Sequence, residues 1–125
     1  MRTIGGGVCS ISLDWIWGSE RMILEVAFLK VRAGQTQAFE NAFHEAQNVI
    51  SLTPGYISHE LQRCIEERDK YLLLVRWRRL EDHAITFRQS SQYQDWKRLL
   101  HHFYEPFPTV EHFEVVFEQN GAIEP

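Results

Sequence analysis

The chain predicts a two-layer α+β fold of ferredoxin-like order, β-α-β-β-α-β, a four-stranded antiparallel sheet with two helices on one face. Three observations carry this. The run Tyr71-Leu72-Leu73-Leu74-Val75 is apolar without alternation, whereas a strand with one wet face alternates, so both faces of this strand should be dry. Residues 35–52 and 80–104 place apolar side chains at spacings of three and four, the period of amphipathic helices. Turn signals fall between the segments: Arg32-Ala33-Gly34, Thr53-Pro54-Gly55, and Pro106 with Pro108.

Taken in order, Ile23 to Val31 is the first strand, with only Glu25 and Lys30 charged. Gln35 to Leu52 is the first helix, with Phe39, Ala42, Phe43, Ala46, Val49 and Ile50 on its apolar stripe. Tyr56 to Ile65 and Tyr71 to Trp77 form a hairpin around the acidic loop Glu66-Glu67-Arg68-Asp69. Leu80 to about Tyr104 is mostly helical and breaks near Ser90-Ser91; its second part carries Tyr93, Trp96, Leu99, Leu100 and Phe103 on one face. Glu111 to Phe117 is the fourth strand, with Phe113, Val115 and Phe117 on one face. Residues 22–118 make one domain and 119–125 a fraying tail. Residues 1–21, broken by Gly5-Gly6-Gly7, read as an N-terminal extension. It is either disordered or a short arm packing Ile16 with Trp15 or Trp17.

Composition removes several classes of partner. The net charge is −4 and the pI about 5.8, and the basic cluster Arg76, Arg78 and Arg79 is followed at once by Glu81 and Asp82. A nucleic-acid partner is therefore not expected. No apolar run approaches the roughly 18 residues of a membrane span, so no membrane partner is expected either. Cys9 and Cys64 lie far apart without CxxC spacing, which argues against a zinc site or a redox pair and reads as free thiols in a reducing cytoplasm. No G-x-S-x-G, Walker loop or G-x-G-x-x-G occurs, and no histidine pair shows metal-ligand spacing with a carboxylate. No metal and no nucleotide or flavin cofactor is expected. Two helices on one face leave the other face of an apolar sheet bare, and soluble monomers rarely expose such a patch. A homodimer with facing sheets about a two-fold axis resolves this.

From Met22 to about Val116 the chain resembles the antibiotic biosynthesis monooxygenase domain of the dimeric α+β barrel superfamily. The resemblance is carried by ILEVAFLKVRAGQ with its turn Gly34, FENAFHEAQ, TPGYISHELQRC, YLLLVRWRRLEDH, FRQSSQYQDW and PFPTVEHF. The PGY turn and the strand-ending Trp77 are its most recurrent features. It implies a dimeric α+β barrel with a pocket between the sheet and the helices of each subunit. The family includes cofactor-free monooxygenases, haem-degrading enzymes, small-sugar isomerases and proteins of no known activity, so fold does not fix function. The haem-degrading members carry an Asn in the first strand, a Trp in the second helix and a haem-ligating His further on. Aligned through Gly34 and Trp77, those positions here hold Ala27, Thr86 and Trp96, and without the imidazole iron lacks its axial ligand. His101 and His102 reach that position only with a register shift.

A cofactor-free oxygenase needs a dry aromatic pocket, a base and polar donors beside the anion that forms. His59 is the first candidate base, placed by alternation with Ile57, Leu61 and Arg63 and carrying an imidazole that titrates near neutrality. The alternative reading is a dimer-interface or carbonyl-bonded histidine. His112 is the second candidate. His83 reads as a solvated residue of a helix's first turn, His44 as exposed, and His101 and His102 cannot both face the core. Trp77, Phe87, Tyr93 and Trp96 form an aromatic wall that either binds a planar substrate or simply packs the core. Arg88 pairs either with a ligand anion or with Asp82 or Glu81 at the surface. The favoured function is a homodimeric monooxygenase acting on a small aromatic or quinol substrate. The alternatives are a non-catalytic or small-ligand-binding dimer of the same fold, and a small-molecule isomerase, which the aromatic stripe disfavours.

Overall fold

The computed structural model describes residues 22–122. The expected N-terminal extension, Cys9 and the end of the tail lie outside the described residues. The order is β1 (Ile23–Lys30), α1 (Thr36–Ile50), β2 (Tyr56–Arg63), β3 (Lys70–Trp77), α2 (Ser91–Leu100) and β4 (Val110–Phe113). A π-helical turn, Asp82–Phe87, precedes α2, and a 3-10 turn, His101–Phe103, follows it. The strands make one antiparallel sheet in the order β2-β3-β1-β4, the ferredoxin-like arrangement.

Strand pairing sets the two faces. Glu25 lies opposite Val75, Ala27 opposite Leu73 and Leu29 opposite Tyr71, and all six are buried on the inner face beneath the helices. From above, α1 contributes Phe39, Phe43, Ala46 and Ile50, and α2 contributes Trp96 and Leu100. The positions recur every three or four residues, so each helix presents one stripe to the sheet. Phe39 is the hub, with ring centroids 4.9 Å from Tyr71, 5.7 Å from Phe103 and 5.9 Å from Tyr104. Each such edge-on pair adds about 0.5–1.5 kcal/mol beyond the area it buries. The Tyr71 hydroxyl leaves this core to donate to Glu40 at 2.6 Å, where Arg63 also binds.

The opposite face carries Leu24, Val26, Phe28, Leu72, Leu74 and Phe113, and Phe28 is 59% exposed. No layer of the described chain covers it. None of the helices among the described residues is long and apolar enough to cross a membrane.

Three elements differ from the sequence expectation. β4 ends at Phe113, and Val115 and Phe117 lie beyond it, exposed. The cause is its partner: β4 pairs only with β1, from Ala27 back to Leu24, and β1 itself starts at Ile23. In β2 the register shifts between Tyr56 and Ser58. This bulge at Ile57 puts Tyr56, not Ile57, on the face of His59. The helical region divides where expected, at Ser90, whose Oγ accepts the Tyr93 N–H at 3.2 Å and donates to the Phe87 carbonyl at 2.6 Å. The part before it is π-helical rather than α-helical.

Two glycines among the described residues have φ above zero, Gly34 at 77° and Gly55 at 89°. They differ in surroundings: a Cβ on Gly34 meets nothing within 4 Å, while one on Gly55 falls 2.1 Å from Cγ of Asp82. Asp82 is pinned there by the Arg79 N–H at 3.0 Å, and the Gly55 carbonyl accepts the Arg78 N–H at 2.8 Å. Gly34→Ala should therefore cost only the left-handed penalty of about 1–2 kcal/mol. Gly55→Ala should cost clearly more or prevent folding. Urea denaturation of both variants checks this, and equal losses would show that Asp82 yields freely.

Candidate functional site

Between the inner face of β1 and β3 and the stretch from His83 to Pro108 lies a cleft. Its walls are aromatic, from Phe87, Tyr93, Trp96, Tyr104 and Phe107, and Ala27, Leu29 and Leu73 form the apolar part of its floor. The empty space counted to its mouth is about 470 Å³, of which about 60 Å³ admits the centre of a water molecule. This is a narrow slot that suits a flat ring.

At the end of the floor sits Glu25, which its pairing with Val75 turns inward; it is 6% exposed. Its Oε1 accepts the Trp77 Nε1–H at 2.9 Å and lies 3.4 Å from His83 Nε2. Burial, only partly offset by the Trp77 hydrogen bond and the charge of Arg88, pushes the carboxyl up to about 7. His83 is 3% exposed and stacks on Trp77, with centroids 5.5 Å apart and an interplanar angle of 27°. Burial, then the charges of Arg88 and His112, bring its imidazole down to about 3, so it is neutral near pH 7. Its Nδ1 is 2.8 Å from Nε2 of His112, which sits across from Glu25 on β4 and is exposed. Burial and Arg88 also lower His112.

These contacts form one line from a buried carboxyl through two imidazoles to solvent. The line joins His83 to His112 by a hydrogen bond and brings Glu25 to within ion-pair distance of His83. It does not converge on a point, and no group of three or more His, Cys, Asp or Glu among the described residues could hold a metal.

Of the residues singled out in the sequence, Phe87, Arg88, Tyr93 and Trp96 line the cleft, and His112 reaches it through His83. Trp77 has no exposure; it lies beneath the cleft and holds Glu25. His59 is elsewhere, on β2 at the opposite sheet edge from His112, three strand spacings or roughly 14 Å away. Its Nδ1 bonds the Tyr56 hydroxyl and its Nε2 the Gln47 Oε1 at 3.0 Å, so both ring nitrogens are engaged, and burial lowers its pKa.

Two expectations are corrected. His83 is not solvated: Asp82 ties the turn back to Arg79, and the π-helical turn lays His83 on Trp77. Arg88 does not pair with Asp82, whose carboxylate is taken by Arg79 through its N–H at 3.0 Å and Nη2 at 3.4 Å. Arg88 instead stands over the Tyr93 ring at 5.7 Å. Glu25 was missed as a site residue. Its one sequence signal is a lone acid within an otherwise apolar strand segment.

The family model for antibiotic biosynthesis monooxygenases matches residues 22–99 of the chain. The chain is 57% identical over 95 residues to the uncharacterized protein YczJ of Bacillus subtilis (strain 168), covering 76% of this chain and 100% of that protein. Among solved structures, a candidate antibiotic biosynthesis monooxygenase from Bordetella bronchiseptica is 31% identical, with a TM-score of 0.74, covering 78% of this chain and 99% of that one. SnoaB, a cofactor-independent oxygenase from Streptomyces nogalater, shares the fold at 18% identity and a TM-score of 0.58, over 80% of this chain and 96% of its own.

The raised Glu25 carboxyl has a consequence for stability. The folded chain holds its proton up to about pH 7, while the unfolded chain releases it near 4.5. Between those values the folded state binds more protons, so this contribution to stability falls as pH rises and is fully lost above about 7. Glu25→Gln removes the effect. In urea the variant should exceed the parent protein by on the order of 3 kcal/mol at pH 8, with the gap closing toward pH 5. A gap that does not vary with pH would show that Glu25 ionises normally.

Proposed function

The chain belongs to the antibiotic biosynthesis monooxygenase family, and on that premise we propose that it is a cytoplasmic, cofactor-independent monooxygenase acting on a small aromatic or quinol substrate. The observation that supports this most is a carboxyl ionising near 7 at the floor of an aromatic-walled slot. A phenolic hydroxyl ionises near 10. A carboxylate of pKa about 7 is a far better base toward it than an ordinary one, and half of it is in the basic form at neutral pH. Glu25 takes the hydroxyl proton, and His83 and His112 pass it to solvent. The electron-rich anion then reduces O2 itself. In net terms a ring C–H, a phenolic O–H and O2 become two C=O groups of a quinone and H2O, and the substrate supplies all the electrons. The charge of Arg88 stabilises the anion, and the aromatic walls keep water from the oxygen adduct.

The narrowness of the slot favours a second reading, a dimer that binds a flat ligand without turnover. We also infer that two copies pair through the outer sheet face of Phe28, Leu72, Leu74 and Phe113, since that apolar surface is otherwise left to water.

Oxygen consumption with a panel of hydroquinones and naphthoquinols separates the readings. Turnover by the parent protein should rise with pH and level off above about 7, because the ionised carboxylate is the base. Glu25→Gln should lower kcat by about 10²–10⁴. Binding without oxygen uptake across the panel would establish the second reading instead. Sedimentation should give about twice the 14.8 kDa chain mass, and Phe28→Glu should halve it; a monomeric parent protein would end the pairing argument.

A further inference from the structure

Arg88 lines the cleft yet remains exposed, which places its charge where the slot meets solvent. Four other arginines of the described chain have carboxylate partners, Arg32 with Glu105 at 2.8 Å, Arg63 with Glu40 at 2.6 Å, Arg79 with Asp82 at 3.4 Å and Arg98 with Asp95 at 3.5 Å; Arg68, Arg76 and Arg78 have no such pair among the described residues, but none of these three lines the cleft. Arg88 has none within ion-pair distance among the described residues. Its guanidinium stands 5.7 Å from the Tyr93 ring centroid, and Lys97 is 5.5 Å from the same centroid. The nearest acid in the cleft, Glu25, is half neutral at pH 7, so the floor offers no full opposing charge. The result is a positive mouth on a chain of net charge −4.

We infer that the ligand of this cleft is a planar aromatic bearing an anionic group, a carboxylate fixed on the ring, which Arg88 binds while the ring enters between the aromatic walls. The inference rests on the reading of the cleft as a substrate site and adds the class of substrate. A guanidinium lying over an aromatic ring keeps its fork of N–H donors free for a carboxylate, a pairing that a lysine cannot reproduce in geometry. A positive mouth on an acidic surface also draws anions to this spot and not to the rest of the protein. The groups that face Arg88 add a signature. Glu25 on β1, His83 on the π-helical turn, His101 after α2 and His112 on β4 all feel its charge, which favours their deprotonated forms. An anion that neutralises Arg88 removes that influence, so binding should be accompanied by proton uptake.

The test uses two probes with one ring system, 1-naphthol and 1-hydroxy-2-naphthoate, titrated into the full chain by calorimetry in buffers of different ionisation enthalpy at pH 7. The naphthoate should bind at least about tenfold more tightly than the naphthol and take up protons on binding, and its advantage should fall as salt is added. In Arg88→Met the advantage should shrink to within about twofold while naphthol affinity is unchanged. Arg88→Lys should recover only part of it, and Lys97→Met should leave most of it. Equal affinity of the two probes for the parent protein overturns the inference. So does an advantage that survives Arg88→Met or that disappears with Lys97→Met. Failure of both probes to bind overturns this inference and the cleft as a substrate site together. A naphthoate preference that depends on Arg88, without oxygen consumption by any quinol, supports this inference and removes the oxygenase reading alone.

Discussion

Trp77 has no contact with solvent, so its indole N–H must find an acceptor inside the protein, and that acceptor is the Glu25 carboxylate. A buried donor left without a partner costs about 1–3 kcal/mol, and a buried carboxylate without one costs more. Each residue is thus the condition for burying the other. The pair joins β1 to β3 at the centre of the sheet, and His83 stacks on the indole to complete it. Remove the carboxylate and Trp77 loses its partner. Remove the indole and Glu25 has neither its donor nor the surface that positions His83. The chemistry of the cleft is therefore anchored to the same contact that holds the two central strands together.

Around that contact the sheet separates two polar networks by its strand order. At the β4 edge, Glu25, His83 and His112 lead from the cleft floor to water. At the β2 edge, Tyr56, His59 and Gln47 form a closed set that satisfies both imidazole nitrogens between α1 and the sheet. The first network has a free end and a carboxyl near 7; the second has neither. This difference, more than the identity of the histidines, distinguishes the two networks. The aromatic layer divides in the same way: the Phe39 cluster packs the closed end of the core, while Phe87, Tyr93 and Trp96 stand where the space between helices and sheet is left partly open.

Membership of the antibiotic biosynthesis monooxygenase family accounts for the scaffold and leaves the site to be argued from its own residues. Packing both helices against one face is what makes a pocket between layers possible, and the same arrangement leaves Phe28 and Phe113 in water on the other face. The slot and the bare face are two results of one topology.

The sequence by itself determined the architecture. An apolar β3 without alternation, helix stripes at Phe39-Phe43-Ala46-Ile50 and Trp96-Leu100, and the turns at Gly34 and Gly55 are local patterns, and each is read over a few residues. It also marked Phe87, Tyr93 and Trp96, three aromatic residues that line the cleft, because aromatic residues on a helix face must point toward the sheet. Only the tertiary structure decided which ionisable groups meet. β1 is apolar on both faces, so alternation cannot say to which side Glu25 points; the pairing of Glu25 with Val75 does. His83 looks like any first-turn polar residue until Asp82 and Arg79 fold the turn onto Trp77. His59 and His112 look alike in sequence, each a histidine within a strand, yet strand order places them at opposite edges of the sheet. The extent of β4 was beyond local reading too, since it depends on where β1 begins. In each case the missing information was a contact between residues distant in the chain, which no local periodicity encodes.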